Sequence, residues 1–215
     1  MTIMDILAKL FGSAARVKIM RLFLMNPEDI FEKAEIGRRS KVSGEVLRKE
    51  LKLLLDIGLI AERTMVRLVP RKQGGKKPLK NGDEQMEKIK VNGFGMDPSF
   101  PYLAAIRALV TEIALGKEDV SARFRNCGQM KLIIVAGVFL DEPDSRVDIL
   151  LVGDKLKKTV IEGVLRRLEA ELGKELTYGI MDTPDFEYRY GIYDKFIRDV
   201  IDYPHLVVLN KLNLF

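Results

Sequence analysis

The sequence predicts a two-part fold, α+β over its first half and α/β over its second, on three observations. Apolar residues recur at helical spacing through residues 2–56, then give way to two strand-like stretches around a basic, glycine-rich loop. Farther on, strand-length apolar runs alternate with helical patterns, as in a sheet covered by helices. Charge divides along the same line: residues 1–97 carry a net +7 and residues 98–215 a net −2, within a total of +5 over 215 residues. A chain of this length can build two modest cores. The expected segments are 1–97, a linker helix over 98–116, and 117–215.

The elements follow in order. Ile3, Ile6, Leu7, Leu10 and Phe11 share a stripe, so residues 2–11 read as a helix. Gly12-Ser13 interrupts it, and Ser13 is placed to cap a second helix that runs to Met25 and ends at Asn26-Pro27. A short helix is expected over Ala34–Arg39. Val42-Ser43 then opens a longer one to Asp56, with Ser43 as N-cap. Val46, Leu47, Leu51, Leu54 and Leu55 are its expected buried stripe, and Glu45, Arg48, Lys49 and Lys52 lie on its other faces. Gly58 closes it. Ala61–Val69 and Met86–Gly93 read as two strands, joined by Pro70-Arg-Lys-Gln-Gly-Gly-Lys-Lys-Pro-Leu-Lys80-Asn-Gly-Asp.

Met96-Asp-Pro-Ser-Phe-Pro101 signals a linker, and Tyr102–Leu115 a helix. A helix is expected over Asp119–Cys127, a strand over Lys131–Phe139, and a second strand over Arg146–Asp154 after the polar loop Asp141-Glu-Pro-Asp-Ser145. Lys157–Gly173 is an amphipathic helix with Val160, Val164, Leu165, Leu168 and Leu172 inward. Glu175–Asp182 reads as a strand, Phe186–Tyr190 and Asp194–Tyr203 as helices, and Leu206–Leu209 as a closing strand.

The first half resembles the winged helix-turn-helix of bacterial and archaeal transcriptional regulators, over roughly residues 10–97. The resemblance is carried by Glu35-Ile-Gly-Arg-Arg-Ser-Lys-Val-Ser43, Val46-Leu-Arg-Lys-Glu-Leu51 and Leu54-Leu-Asp-Ile-Gly-Leu-Ile60. It implies three helices plus a β-wing, with the second helix of the pair in the major groove of double-stranded DNA. The implied contact residues are Ser43, Glu45, Arg48, Lys49 and Lys52 on that helix, and Arg67, Arg71, Lys72, Lys76, Lys77 and Lys80 on the wing. Lysines and arginines on a glycine-rich loop suit phosphate or minor-groove contact. A solvated basic hairpin tip is the plain alternative.

The second half resembles the nucleotidyltransferase superfamily with the DNA polymerase beta-like fold, over roughly residues 117–212. The residues that carry this are the strand Lys131-Leu-Ile-Ile-Val-Ala-Gly-Val-Phe139, then Arg146-Val-Asp-Ile-Leu-Leu-Val-Gly-Asp154, then the ending Tyr193-Asp-Lys-Phe-Ile-Arg-Asp-Val-Ile-Asp-Tyr-Pro-His-Leu-Val-Val-Leu209. The family reads Gly-Ser in the first loop and Asp-hydrophobic-Asp on the second strand; here Gly137-Val138 and Arg146/Asp148 stand in those places. Residues i and i+2 of a strand share a face. Two acids there hold Mg²⁺ against a nucleoside triphosphate, and Arg146 replaces one of them with a cation. The third acid has no counterpart inside Glu175–Asp182, where Asp182 stands only at the end. The resemblance therefore implies a mixed sheet with helices whose metal chemistry is gone. Arg146 is expected to close a salt bridge with Asp148; the competing expectation is an anion, such as a nucleotide, held without metal at Gly137, Val138, Arg146 and Asp148.

Other residues carry less. Cys127 is the only cysteine, so no internal disulfide or cysteine metal cluster forms, and it is expected to be a small packing residue. His205 is the only histidine and has no nucleophile motif around it. Phe186, Tyr188, Tyr190, Tyr193 and Phe196 are expected in the core rather than stacked on bases. Asp141, Glu142 and Asp144 are expected to be solvated. No apolar run reaches the ~20 residues of a membrane span, no secretory pattern opens the chain, and a cytoplasmic protein is expected. No cofactor and no metal are expected.

A DNA-binding transcriptional regulator, acting as a homodimer on two half-sites, is the leading expectation, with the second half a scaffold, dimerisation module or ligand sensor. An active nucleotidyltransferase and an antitoxin-like protein-binding partner are the alternatives. Arg146 and Val138 oppose the former.

Overall fold

In a computed structural model, which describes residues 3–70, 86–111, 117–140, 142 and 145–213, the chain is a mixed α/β protein with two sheets. The first half runs α1 (Ile3–Leu10), α2 (Ala14–Met25), β1 (Ile30–Phe31), α3 (Lys33–Ser40), α4 (Gly44–Asp56), β2 (Ile60–Pro70), β3 (Met86–Met96) and α5 (Leu103–Thr111). The second half runs α6 (Lys117–Arg123), β4 (Gln129–Val135), β5 (Ile149–Asp154), α7 (Lys158–Leu172), β6 (Tyr178–Asp182), α8 (Thr183–Gly191), α9 (Lys195–Ile201) and β7 (Leu206–Asn210).

Ser13 caps α2 as its side chain accepts the Arg16 N–H at 3.1 Å. The helix buries Val17, Ile19, Met20, Leu22, Phe23 and Leu24, too many for one face, because α1, α3, α4, α5 and α7 all pack around it. Ser43 occupies the N-cap position of α4 with extended backbone, yet its side chain makes no capping bond. Leu47, Leu51 and Leu54 point inward; Val46, expected in that stripe, is 52% exposed, since one residue is a 100° turn of the helix. The sheet order β1-β3-β2 is antiparallel throughout, with Ile30 opposite Gly95 and Phe31 opposite Phe94. The two-residue β1 was not expected from sequence, being too short to show alternation. Helix α5 packs on α2 and places Val110 in the first core.

The second sheet has the order β6-β5-β4-β7. Strand β4 is antiparallel to β5 and β7, whereas β5 and β6 are parallel, with α7 as their crossover. Both faces are covered, which explains why β5 is apolar without alternation. Ile149 and Leu151 join the core that includes Val120 and Phe124 of α6 and Ile161, Leu165 and Leu168 of α7. Leu150 and Val152 join Phe186, Ile197 and Val200 of α8 and α9. Two strand expectations shorten: β4 stops at Val135 and a 3₁₀ turn takes Gly137–Phe139, and β5 begins only at Ile149.

The halves meet where α7 ends against α2. Arg21 is 5% exposed; its Nε donates to Val110 O at 2.7 Å and its Nη1 to Glu171 O at 2.8 Å. Asn26 Nδ2 donates to Gly173 O at 2.7 Å. Arg21 of α2 and its C-cap residue Asn26 thus satisfy carbonyls that the end of α7 leaves open. Burial pulls the Arg21 guanidinium below its ordinary pKa, and nearby Glu171 acts in the opposite sense. Gly173 has φ +79°, and a Cβ there would overlap the Arg21 backbone, so only glycine allows this approach. Among the described residues no helix is long and apolar enough to cross a membrane.

Candidate nucleic-acid interface

Helix spacing brings Glu45, Arg48, Lys49 and Lys52 to one face of α4, at i, i+3, i+4 and i+7, and all four are exposed together with Ser43 and Val46. The opposite face fixes the helix. Besides the leucines, Glu50 is buried and accepts from Arg16 Nε at 2.8 Å, while Arg16 Nη1 donates to Phe11 O at 2.7 Å. Glu50 reads as one more surface charge in the sequence, but it is the polar anchor that ties α4 to the start of α2.

Strands β2 and β3 form an eleven-residue antiparallel ribbon directly after α4. Its register sets Val66 opposite Lys90 and Arg67 opposite Ile89. Residues 62–64, 66–67 and 88–90 are exposed, so this part of the ribbon stands clear of the body. Lys88 and Lys90 lie two residues apart on one face, as does Val66 opposite them. Lys88 and Lys90 escaped the sequence reading because only the register shows the face they share; Arg63, opposite Gly93, lies on the other face of the ribbon. Arg67, an expected contact residue, is bonded to Glu32 at the start of α3, so its charge is already partnered. The remaining wing residues Arg71, Lys72, Lys76, Lys77 and Lys80 lie outside the described residues.

The loop between β4 and β5 is arranged differently. Asp148 Oδ1 accepts the Val138 N–H at 2.8 Å and its Oδ2 accepts the Thr177 N–H at 2.8 Å. One carboxylate therefore ties the turn after β4 to the segment entering β6. Gly137 has φ +53°, and a Cβ there would overlap Asp148 Oδ1. Arg146 does not pair with Asp148, contrary to expectation. Its Nη1 reaches Asp199 Oδ2 in α9 at 3.0 Å, on the far side of the buried Val147. Both oxygens of Asp148 are occupied by backbone donors, whereas Asp199 is within reach of the arginine's long side chain. A cavity of about 220 Å³ opens beside Val138, Glu142, Ser145, Asp148, Lys174 and Thr177, and Arg146 is not part of its wall. Asp182 lies four residues along β6 from Tyr178, which pairs with Ile149, so it stands about 13 Å up the strand. Among the described residues no three histidine, cysteine or acidic side chains gather as a metal site. Asp141 and Asp144 lie outside the described residues.

Cys127 is buried, and burial pushes its thiol pKa up while Lys157 opposes the shift. His205 is half-buried, with its Nδ1 2.9 Å from Tyr203 O. Of the aromatics expected in the core, Phe186 is fully buried and Phe196 packs at its edge, but Tyr188, Tyr190 and Tyr193 are exposed, Tyr190 while stacked on Phe186. Residue 188 falls on the outer face of α8, and Tyr193 lies in the turn before α9. Comparison with protein-family models, with curated proteins and with solved structures gave no match to this chain.

Proposed function

We propose that this chain is a DNA-binding transcriptional regulator of the winged helix-turn-helix kind, whose second half is a nucleotidyltransferase-like scaffold without transferase chemistry. The observation that carries the reading is the exposed face of α4, with Arg48, Lys49 and Lys52 on one side of a helix anchored by Leu47, Glu50, Leu51 and Leu54. The order of α2, β1, α3, α4 and the β2–β3 ribbon supports it, as does the antiparallel sheet that ties β1 to the ribbon.

In this reading α4 lies in the major groove. The residues of its first turns, Ser43, Glu45 and Val46, approach base edges with Arg48. A guanidinium presents a planar donor fork that matches O6 and N7 of guanine, and Val46 is a partner for a thymine methyl. Lys49, Lys52, Lys88 and Lys90 meet phosphates, which position the protein without reading sequence. Two copies on half-sites one helical turn apart, about 34 Å, would place two α4 helices in successive major grooves. The scaffold reading of the second half draws on Asp148, whose oxygens serve the backbone of the β4–β5 turn and of β6.

Selection from a random duplex library followed by anisotropy titration tests this. A recurrent motif should be enriched, and Arg48→Ala should bind it with less discrimination at one base pair. Failure to enrich any motif, with no binding at low salt, would overturn the reading. Incubation with labelled nucleoside triphosphates and Mg²⁺ tests the second half: no transfer is expected, and turnover abolished by Asp148→Ala would refute the scaffold role.

A further inference from the structure

A second cavity, of about 290 Å³, lies where α3 of the first half faces α7 of the second. Five cations line it: Arg38, Arg39 and Lys41 from the end of α3, and Arg166 and Lys174 from α7 and the residue beyond its Gly173 cap. Two carboxylates line it with them, Glu169 and Glu175, and Glu35 stands beside Arg38 and Arg39; Glu169 Oε1 accepts the Leu176 N–H at 3.1 Å.

The cations are loosely held. Glu175 Oε1 stands 4.0 Å from Arg38 Nη2 and 3.8 Å from Arg39 Nε, and Glu35 Oε1 is 3.9 Å from each guanidinium. All four separations exceed a charge-assisted hydrogen bond, which closes to about 2.7–2.9 Å. Arg166 is partnered outside the cavity by Glu162 at 3.2 Å. Arg39 is the most restrained of the group. Its side chain is only 13% exposed, and its guanidinium lies over the Phe31 ring at 4.9 Å from the centroid. Stacking fixes the plane of its donor fork before any ligand arrives, so little side-chain entropy is lost on binding.

We propose that this cleft binds a small ligand carrying two or more phosphate groups. The charge is right, since five cations line the cleft with two carboxylates, and the cations stay in excess even with Glu35 and Glu162, which pair with its arginines. The donors are right, because two guanidiniums offer planar forks to phosphate oxygens, and Lys41 and Lys174 add point charges. The size is right, since the volume lies at the lower end of small-molecule sites, about 300 Å³. The site is separate from the β4–β5 loop cavity and needs neither metal nor Arg146, although Lys174 and Glu175 stand at the wall the two cavities share. Because the ligand would bridge α3 to α7, it would also clamp the helix that precedes α4. Binding itself does not depend on the DNA-binding reading.

Calorimetric titration of the full chain with inorganic pyrophosphate, and separately with ADP, in EDTA and low salt, tests this. Saturable binding of one equivalent is expected, weakened roughly tenfold or more by Arg166→Gln and by Arg39→Gln and unchanged by Arg146→Gln. Arg166 is exposed on α7, so its variant remains informative if loss of the Arg39 stacking disturbs folding. ADP binding without pyrophosphate binding would mean that the base rather than the phosphates is recognised, and would overturn the proposal. So would saturation by duplex DNA alone, no saturable heat with either small probe, or affinities untouched by Arg166→Gln and Arg39→Gln.

Discussion

The face of α4 and the β4–β5 loop both carry charged residues at spacings that suggest function, and they use them in opposite ways. On α4, apolar side chains and the buried Glu50 hold the helix from behind, leaving Arg48, Lys49 and Lys52 turned to solvent. In the loop, Asp148 spends both oxygens on the Val138 and Thr177 N–H groups, and Arg146 spends its guanidinium on Asp199. A side chain serves a ligand with what its own fold has not already taken. The same contrast separates the loop from the α3–α7 cleft, where the Arg38 and Arg39 guanidiniums stand beyond hydrogen-bond distance of their nearest carboxylates.

The largest expected effect concerns the joint on which both regions depend. Gly173→Ala should destabilise the chain by roughly 3 kcal/mol, from left-handed backbone and overlap with the Arg21 backbone. Urea unfolding measures this, and a loss below about 0.5 kcal/mol, the level of an ordinary surface change, would mean that α7 does not sit on α2 in this way. Next in size is Asp148→Ala, expected to cost about 2 kcal/mol by removing two charge-assisted backbone bonds. Mg²⁺ should leave the thermal midpoint of the parent protein unchanged. A metal-dependent shift in the parent, absent from Asp148→Ala, would move the loop to the ligand-binding side of the comparison.

On α4 the effects should fall on binding and spare stability. Arg48→Ala should reduce discrimination at one base pair by about 1–3 kcal/mol while its unfolding midpoint stays put. Equal weakening on matched and mismatched duplexes would reassign Arg48 to a phosphate. Lys90→Ala should have the smallest effect, a weakening similar on every duplex and a salt slope shallower by about 1. Sequence-dependent loss would instead place β3 against the bases.

Local patterns were legible in the sequence, and long-range partners were not. The Ser13 cap and the Leu47/Leu51/Leu54 stripe follow from cap chemistry and the 3.6 period, and β5 from a continuous apolar run of strand length, so they could be read directly. Val46 was misassigned because an apolar neighbour of an inward residue looks inward in one dimension. Arg21 and Glu50 look like surface charges until their partners are known, at Glu171 and Val110 for one and at Arg16 for the other. The Arg146–Asp199 pair spans 53 residues, and the cleft joins residues 38–41 to residues 166–175. No local pattern encodes either pairing. At the α4 face the candidate residues share a side as the spacing implies, whereas at the loop Arg146 finds its partner in Asp199 and not in Asp148.

DNA binding by the full chain, followed by anisotropy as salt rises from about 50 to about 200 mM, tests the central claim most directly. The logarithm of the association constant should fall linearly with the logarithm of salt concentration, with a slope of about −0.9 for each phosphate contact and hence about −3.6 if Lys49, Lys52, Lys88 and Lys90 each make one. An affinity that stays flat across that range, or no binding at its lower end, would contradict the account.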